Sequence, residues 1–94
     1  MPLLLNMDPI VSIVTCAYNA SAFIQECIES ILQQTFEDFE WIILDDASTD
    51  DTYEIIEKYK DKRIRLYKNE KNLDIPKSLN RAIPYVKGMY IARI

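Results

Sequence analysis

The sequence predicts an α/β domain on a mostly parallel sheet, three layers deep, with elements in the order β-α-β-α-β-α-β. Three observations predict it. Two β-branched runs, Ile10–Cys16 and Phe39–Leu44, are apolar almost without interruption, as strands covered on both faces must be. After each of them, apolar residues recur at helical spacing. Polar residues gather where each strand would hand over to the next helix, and such alternation implies right-handed crossovers.

Each element follows from its own residues. The first strand, Ile10–Cys16, ends at Ala17-Tyr18-Asn19. Ser21 is placed to cap the first helix, whose inner stripe is Ile24, Cys27, Ile28, Ile31 and Leu32 and which should fade at Gln33 to Thr35. Phe39–Leu44 is the second strand. A capping residue within 48–51 opens the second helix, with Thr52, Ile55, Ile56 and Tyr59 turned inward. Residues 63–68 alternate, with Ile64, Leu66 and Tyr67 as anchors, and this polarity suits an edge strand. Residues 69–74 read as a polar loop. Pro76 suits the first turn of a third helix, with Leu79, Ala82, Ile83 and Val86 as its inner stripe. Pro84 should kink or end that helix, and Gly88 is placed as its left-handed cap. Residues 89–94 begin a fourth strand, after which the fold is truncated. Residues 1–8 read as a loose lead-in, and residues 9–94 as one unit without an internal linker.

Composition narrows the function. The chain has 94 residues, 49% hydrophobic and 28% charged, so it has a core to bury. A net charge of -4 and scattered basic residues argue against nucleic acid. The cluster Lys58, Lys60, Lys62, Arg63, Arg65 is interrupted by Asp61 and reads as a solvated face. No histidine is present, which excludes a Ser-His-Asp triad, a Cys-His pair and any His-ligated metal site within these residues. The one glycine, Gly88, excludes glycine-rich phosphate loops. Cys16 and Cys27 form neither a disulfide framework nor a metal pattern, and read as reduced, buried thiols of a cytoplasmic protein. The N-terminus lacks the basic start and apolar length of a signal peptide, and no segment has the roughly 20 apolar residues of a membrane span.

The candidate site follows the second strand, in Asp45-Asp46-Ala47-Ser48-Thr49-Asp50-Asp51-Thr52. In a parallel sheet, ligands bind beyond the carboxyl ends of the strands. An ionised Asp46 only accepts hydrogen bonds. It would take the ring N–H of uracil and be left unpaired by cytosine, a difference of roughly 1–3 kcal/mol. Alternatively, Asp45 and Asp46 bond loop amides or cap the next helix. Tyr18 either stacks on or lines a base pocket, or covers the sheet end. Asn19 is suited to brace its loop through backbone bonds. Lys77 is placed to reach a diphosphate or is solvated, and Asn80 is either pocket wall or helix surface. Trp41 belongs to the core.

Taken together, Val11-Ser-Ile-Val with Tyr18-Asn19, Ser30-Ile-Leu-Gln33-Gln34-Thr35-Phe36, Asp45 to Thr52, Asn72-Leu with Leu79-Asn80, and Gly88-Met-Tyr90-Ile resemble the N-terminal part of family 2 glycosyltransferases. These are inverting enzymes of the Rossmann-like GT-A fold, and the resemblance covers residues 10–94. It implies a nucleotide-sugar donor, usually carrying UDP, and a glycan or lipid-linked acceptor. It also implies a divalent metal, Mn or Mg. By resemblance, Asp46 binds the base, Tyr18 lines the nucleotide pocket, the backbone of Cys16 and Ala17 contacts uracil, and Asp45 supports the loop. Ala47 and Asp74 stand where the family often has glycine, and Cys16-Ala17 replaces a commoner proline- or serine-containing turn.

In the family, the fourth strand runs into an Asp-x-Asp motif that holds the metal, and the general base lies further on. Both are expected beyond Ile94. The 94 residues would then be a donor-nucleotide half, without metal or transferase activity of its own and prone to self-association. The intact enzyme would serve surface polysaccharide or glycan synthesis, at the cytoplasmic face of the membrane. Two rivals are a receiver-type signalling domain, which also gathers acidic residues at strand ends, and a non-catalytic interaction module docking through the acidic loop.

Overall fold

The computed structural model describes residues 8–88 and 90–93. The lead-in expected for residues 1–8 lies outside them apart from Asp8. Four strands, β1 (Val11–Ala17), β2 (Phe39–Asp45), β3 (Ile64–Lys68) and β4 (Tyr90–Arg93), alternate with three helices, α1 (Ile24–Gln33), α2 (Thr52–Glu57) and α3 (Asp74–Ala82). The sheet order is β3-β2-β1-β4, and every pairing is parallel, with Ala17 opposite Asp45 and Asp45 opposite Lys68. The chain moves outward from β1 to β3 and then returns to the other side of β1. β3 is an edge strand, as its polarity predicts.

The helices cover both faces, giving three layers. On one side Ile13, Trp41 and Ile43 meet Ile24 and Ile28 of α1 and Ile56 of α2. On the other, Val14, Ile42 and Leu44 meet Ala82, with Leu79 and Val86 packed against them. All seven residues of β2 are buried, which is why its sequence is continuously apolar except for Glu40 and Asp45. Trp41 is fully enclosed, and its indole N–H donates to Thr15 Oγ1 at 2.9 Å. Truncating a side chain so placed costs about 3–5 kcal/mol.

Several local expectations need correction. Ser21 does not cap α1. The residue before the helix is Phe23, and it makes no capping side-chain bond. The chain first closes a turn in which Ala20 O accepts the N–H groups of Phe23 and Ile24, while the Ser21 N–H donates to Asp50. Ile83 is 58% exposed, not inward. α3 buries Ser78 and Ala82, which places Ile83 to one side, and the chain then tightens into a 3₁₀ turn at Ile83–Tyr85 around Pro84. Gly88 is not left-handed, since no described glycine has positive φ. It is needed for close approach: a Cβ there would lie 2.6 Å from Ser12 N and Oγ. Cys16 and Cys27 are half-buried thiols, neither in a disulfide.

A polar cluster holds this lower end of the sheet. Glu40 Oε2 accepts from Ser12 Oγ at 2.5 Å and from the Lys87 N–H at 2.6 Å. Arg65 donates to Glu40 Oε1 and, at 2.6 Å, to the Tyr85 carbonyl. Gly88 N–H donates to Ser12 Oγ at 2.8 Å. Tyr67 and Tyr85 stack alongside at 4.2 Å. The connection from α3 to β4 is thus pinned beneath the strands.

Candidate functional site

The carboxyl ends of β1, β2 and β3 lie side by side because their register is aligned there. The Asp46 N–H donates to Ala17 O at 2.8 Å, and the Asn69 N–H donates to Asp45 O at 2.9 Å. The loops after β1 and β2 are clipped together. Asn19 Oδ1 accepts the Thr49 N–H at 2.8 Å, and the Asn19 N–H donates to Ser48 Oγ at 2.9 Å. Ala20 N–H donates to Thr52 Oγ1 at 2.8 Å. Two non-glycine residues are left-handed here, Asn19 with φ 49° and Ala47 with φ 59°. Asparagine tolerates that region, whereas alanine is strained there by about 1–2 kcal/mol. At the position where the family often has glycine, Ala47 thus adopts a glycine-like backbone with a less suitable residue.

Asp45 is fully buried. Its Oδ1 accepts Ser48 Oγ at 2.5 Å and its Oδ2 the Ser48 N–H at 3.3 Å, so its carboxylate braces the loop. Asp50 accepts the hydroxyl of Thr52 at 2.5 Å and its N–H at 3.0 Å. The Thr52 hydroxyl bond, assisted by backbone donors from Thr52 and Ser21, outweighs partial burial and lowers the Asp50 carboxyl to about 2. Asp51 occupies the position before α2 without a capping side-chain bond, and Asp50 serves the helix start in its place.

Asp46 is 3% exposed. Its Oδ1 accepts Asn69 Nδ2 at 2.9 Å and the Leu73 N–H at 2.8 Å, and its carbonyl accepts Asn72 Nδ2 at 3.3 Å. The loop-amide bonding anticipated as an alternative is thus present at both aspartates. Asn69 also donates to Ser78 Oγ at 2.9 Å and accepts from Arg81 Nη1 at 2.5 Å. Asp46 therefore ties the end of β2 to the third loop and to α3.

The other anticipated residues are distributed around this point. Ala17 is buried at the end of β1 and directly bonded to Asp46, Cys16 is half-buried on the α3 side, and Tyr18 is half exposed at the rim. Lys77 and Asn80 are exposed on α3. Asp74 opens α3, with its side chain outside what is described. Sequence reasoning missed Asn69, Ser78 and Arg81. Asn69 was assigned to a polar loop yet is fully buried. A cleft of about 600 Å³ beside it is lined by Lys68, Asn69, Glu70, Lys71, Leu73 and Arg81. Among the described residues, no three acidic or thiol groups converge to hold a metal ion, and no helix is long and apolar enough to cross a membrane.

Comparison with known proteins identifies the architecture. Residues 12–94 match the family described as Glycosyl transferase family 2. The chain is 46% identical over 83 residues to the Escherichia coli UDP-Glc:alpha-D-GlcNAc-diphosphoundecaprenol beta-1,3-glucosyltransferase WfaP, covering 88% of this chain and 33% of that enzyme. It is 40% identical over 91 residues to the Escherichia coli chondroitin synthase, covering 96% of this chain and 13% of the synthase. The chain thus spans a third or less of these relatives. Among solved structures, S. aureus TarS (residues 1–349), also solved in complex with UDP, superimposes with a TM-score of 0.83 at 31% identity, over 90% of this chain and 26% of that one. A Pyrobaculum calidifontis mannosyltransferase, solved with GDP-Man and Mn2+, shares the fold with a TM-score of 0.75 at 24% identity, over 86% of this chain and 25% of that one. Membership decides against the receiver-type alternative: the chain belongs to glycosyl transferase family 2 and carries its GT-A fold.

Proposed function

We propose that this chain is the donor-nucleotide part of an inverting glycosyltransferase that uses a UDP-sugar. An acceptor hydroxyl attacks the anomeric carbon from the face opposite the departing UDP, which inverts that centre. The observation that carries this assignment is the enclosed Asp46 carboxylate just past the inner strand β2, whose N–H donates to Ala17 O at 2.8 Å, at the strand end that the exposed Tyr18 follows. A buried acceptor-only group at this edge selects a ring N–H, as uracil presents. Relatives support the donor and its use: one is named for UDP-Glc and a diphosphoundecaprenol-linked sugar, others for chondroitin and teichuronic acid synthesis. An acceptor on a glycan or lipid-linked sugar, in surface polysaccharide synthesis, is supported by that company, and the cytoplasmic face of the membrane is the location proposed for it.

Each residue has a role. Tyr18 lines the nucleotide pocket with its ring, and the backbone of Cys16 and Ala17 meets the base edge. Asp45 keeps the loop in shape, and Lys77 attends the diphosphate. The described residues do not fit a metal site. The divalent ion and the general base are assigned to the part of the enzyme outside the 94 residues. Calorimetric titration with UDP tests the proposal. Asp46→Ala should lower affinity by roughly 10- to 100-fold, as expected for loss of a hydrogen bond to a charged group. Unchanged affinity removes Asp46 from base binding.

A further inference from the structure

Asn69 is fully buried and has three side-chain partners, two of them of fixed chemical character. Arginine only donates and an ionised carboxylate only accepts. The Arg81 guanidinium at 2.5 Å therefore requires the Asn69 carbonyl oxygen to face it. That leaves the Asn69 NH₂ no choice but to face Asp46 Oδ1 and Ser78 Oγ, each at 2.9 Å. The amide orientation is decided by its neighbours. Arg81 is exposed at the cleft wall, and the Asn69 amide bridges it to Asp46.

We infer that Arg81 is a positioning residue for the donor base: by locking the Asn69 amide it fixes the rotation of the Asp46 carboxylate. Without Arg81, the Asn69 oxygen loses its charged donor, so the amide can tilt toward water and its bond to Asp46 Oδ1 loosens. The Leu73 N–H, at 2.8 Å on the same oxygen, then allows the carboxylate to pivot about that bond. The charge of Arg81 also polarises the amide, strengthening its bond to the carboxylate. The inference rests on the base-binding role proposed for Asp46, and its test separates the two.

UDP affinity is measured by calorimetry for the wild type, Arg81→Met, Arg81→Lys, Asp46→Ala and the double variant Arg81→Met/Asp46→Ala. Arg81→Met should weaken UDP binding on the order of 10-fold, the scale of one charge-assisted hydrogen bond. Arg81→Lys, which still donates to the Asn69 oxygen, should recover most of it. In the Asp46→Ala background, Arg81→Met should change affinity little. Independent, multiplying losses in the double variant overturn the inference. If Asp46→Ala itself leaves UDP affinity unchanged, the base-binding role fails. The Asn69 side-chain NH₂ resonances then decide the positioning: they should shift in Arg81→Met and return in Arg81→Lys. Resonances indifferent to Arg81 overturn it.

Discussion

Of the buried carboxylates on and just after strand β2, Glu40 near its start and Asp46 just past its end are treated differently. Glu40, near its start, meets Arg65 directly, together with the Ser12 hydroxyl and the Lys87 N–H. Asp46, just past its end, meets the Asn69 amide, and the arginine stands one residue further away. Direct pairing neutralises Glu40 in place and closes it to anything else, which suits a fastening. An amide stands between Arg81 and the Asp46 carboxylate and keeps it oriented, which suits a group that meets a ligand. Backbone strain is divided the same way. The lower end meets its tight spot with a glycine, Gly88, whereas the upper loops hold Asn19 and Ala47 at positive φ.

Three substitutions or titrations sharpen this contrast. The largest effect is expected at the fastening. Glu40→Ala leaves Arg65, Ser12 and the Lys87 N–H without their common acceptor and should cost about 2–3 kcal/mol, the lower range for a broken buried pair because Arg65 keeps partial access to water. Denaturant unfolding checks it, and UDP affinity of the folded fraction should be unchanged. A nucleotide defect without lost stability would reverse the assigned roles.

Acid should act next. Burial pushes the Glu40 carboxyl up, but Ser12, Lys87 and Arg65 together hold it below its ordinary 4.5. Asp50 falls from 3.8 to about 2, chiefly through the Thr52 hydroxyl. Both groups bind protons more weakly folded than unfolded. Their contribution is complete above about pH 5 and is lost as pH falls through 4.5 and 3.8 toward 2. Thermal melts across that window should show stability declining with acid. In Asp50→Asn the part of the decline between 3.8 and 2 should shrink.

The smallest effect is at Ala47. Ala47→Gly removes the left-handed strain and should stabilise the domain by up to about 1 kcal/mol, partly offset by greater freedom of the unfolded chain. Destabilisation on chemical unfolding would show that the Ala47 methyl packs usefully.

Much of the fold was legible because it depends on pattern. The apolar runs of β1 and β2, the stripe of α1 and the polarity of β3 each report burial locally. The errors share a cause in contacts between residues far apart in sequence. Ser21 looked like a cap, but its N–H is taken by Asp50, 29 positions away. Gly88 looked like a helix end, but its need for hydrogen is set by Ser12, 76 positions away. At the candidate site, the loop-bracing bonds of Asp45, Asp46 and Asn19 were legible because strand-end position and residue type suffice. Asn69, Ser78 and Arg81 were not, because a polar residue in a polar stretch gives no sign of burial. The small residues Ser78 and Ala82, one turn apart on α3, were the available hint that this face, and not that of Ile83, lies against the sheet.

The most direct measurement compares UDP with CDP binding in the wild type and in Asp46→Asn. An ionised Asp46 that takes the ring N–H of uracil predicts a wild-type preference for UDP of roughly 10-fold or more. Asp46→Asn should abolish or reverse it, since the amide can donate to the cytosine ring nitrogen. A preference that survives Asp46→Asn unaltered would contradict the account.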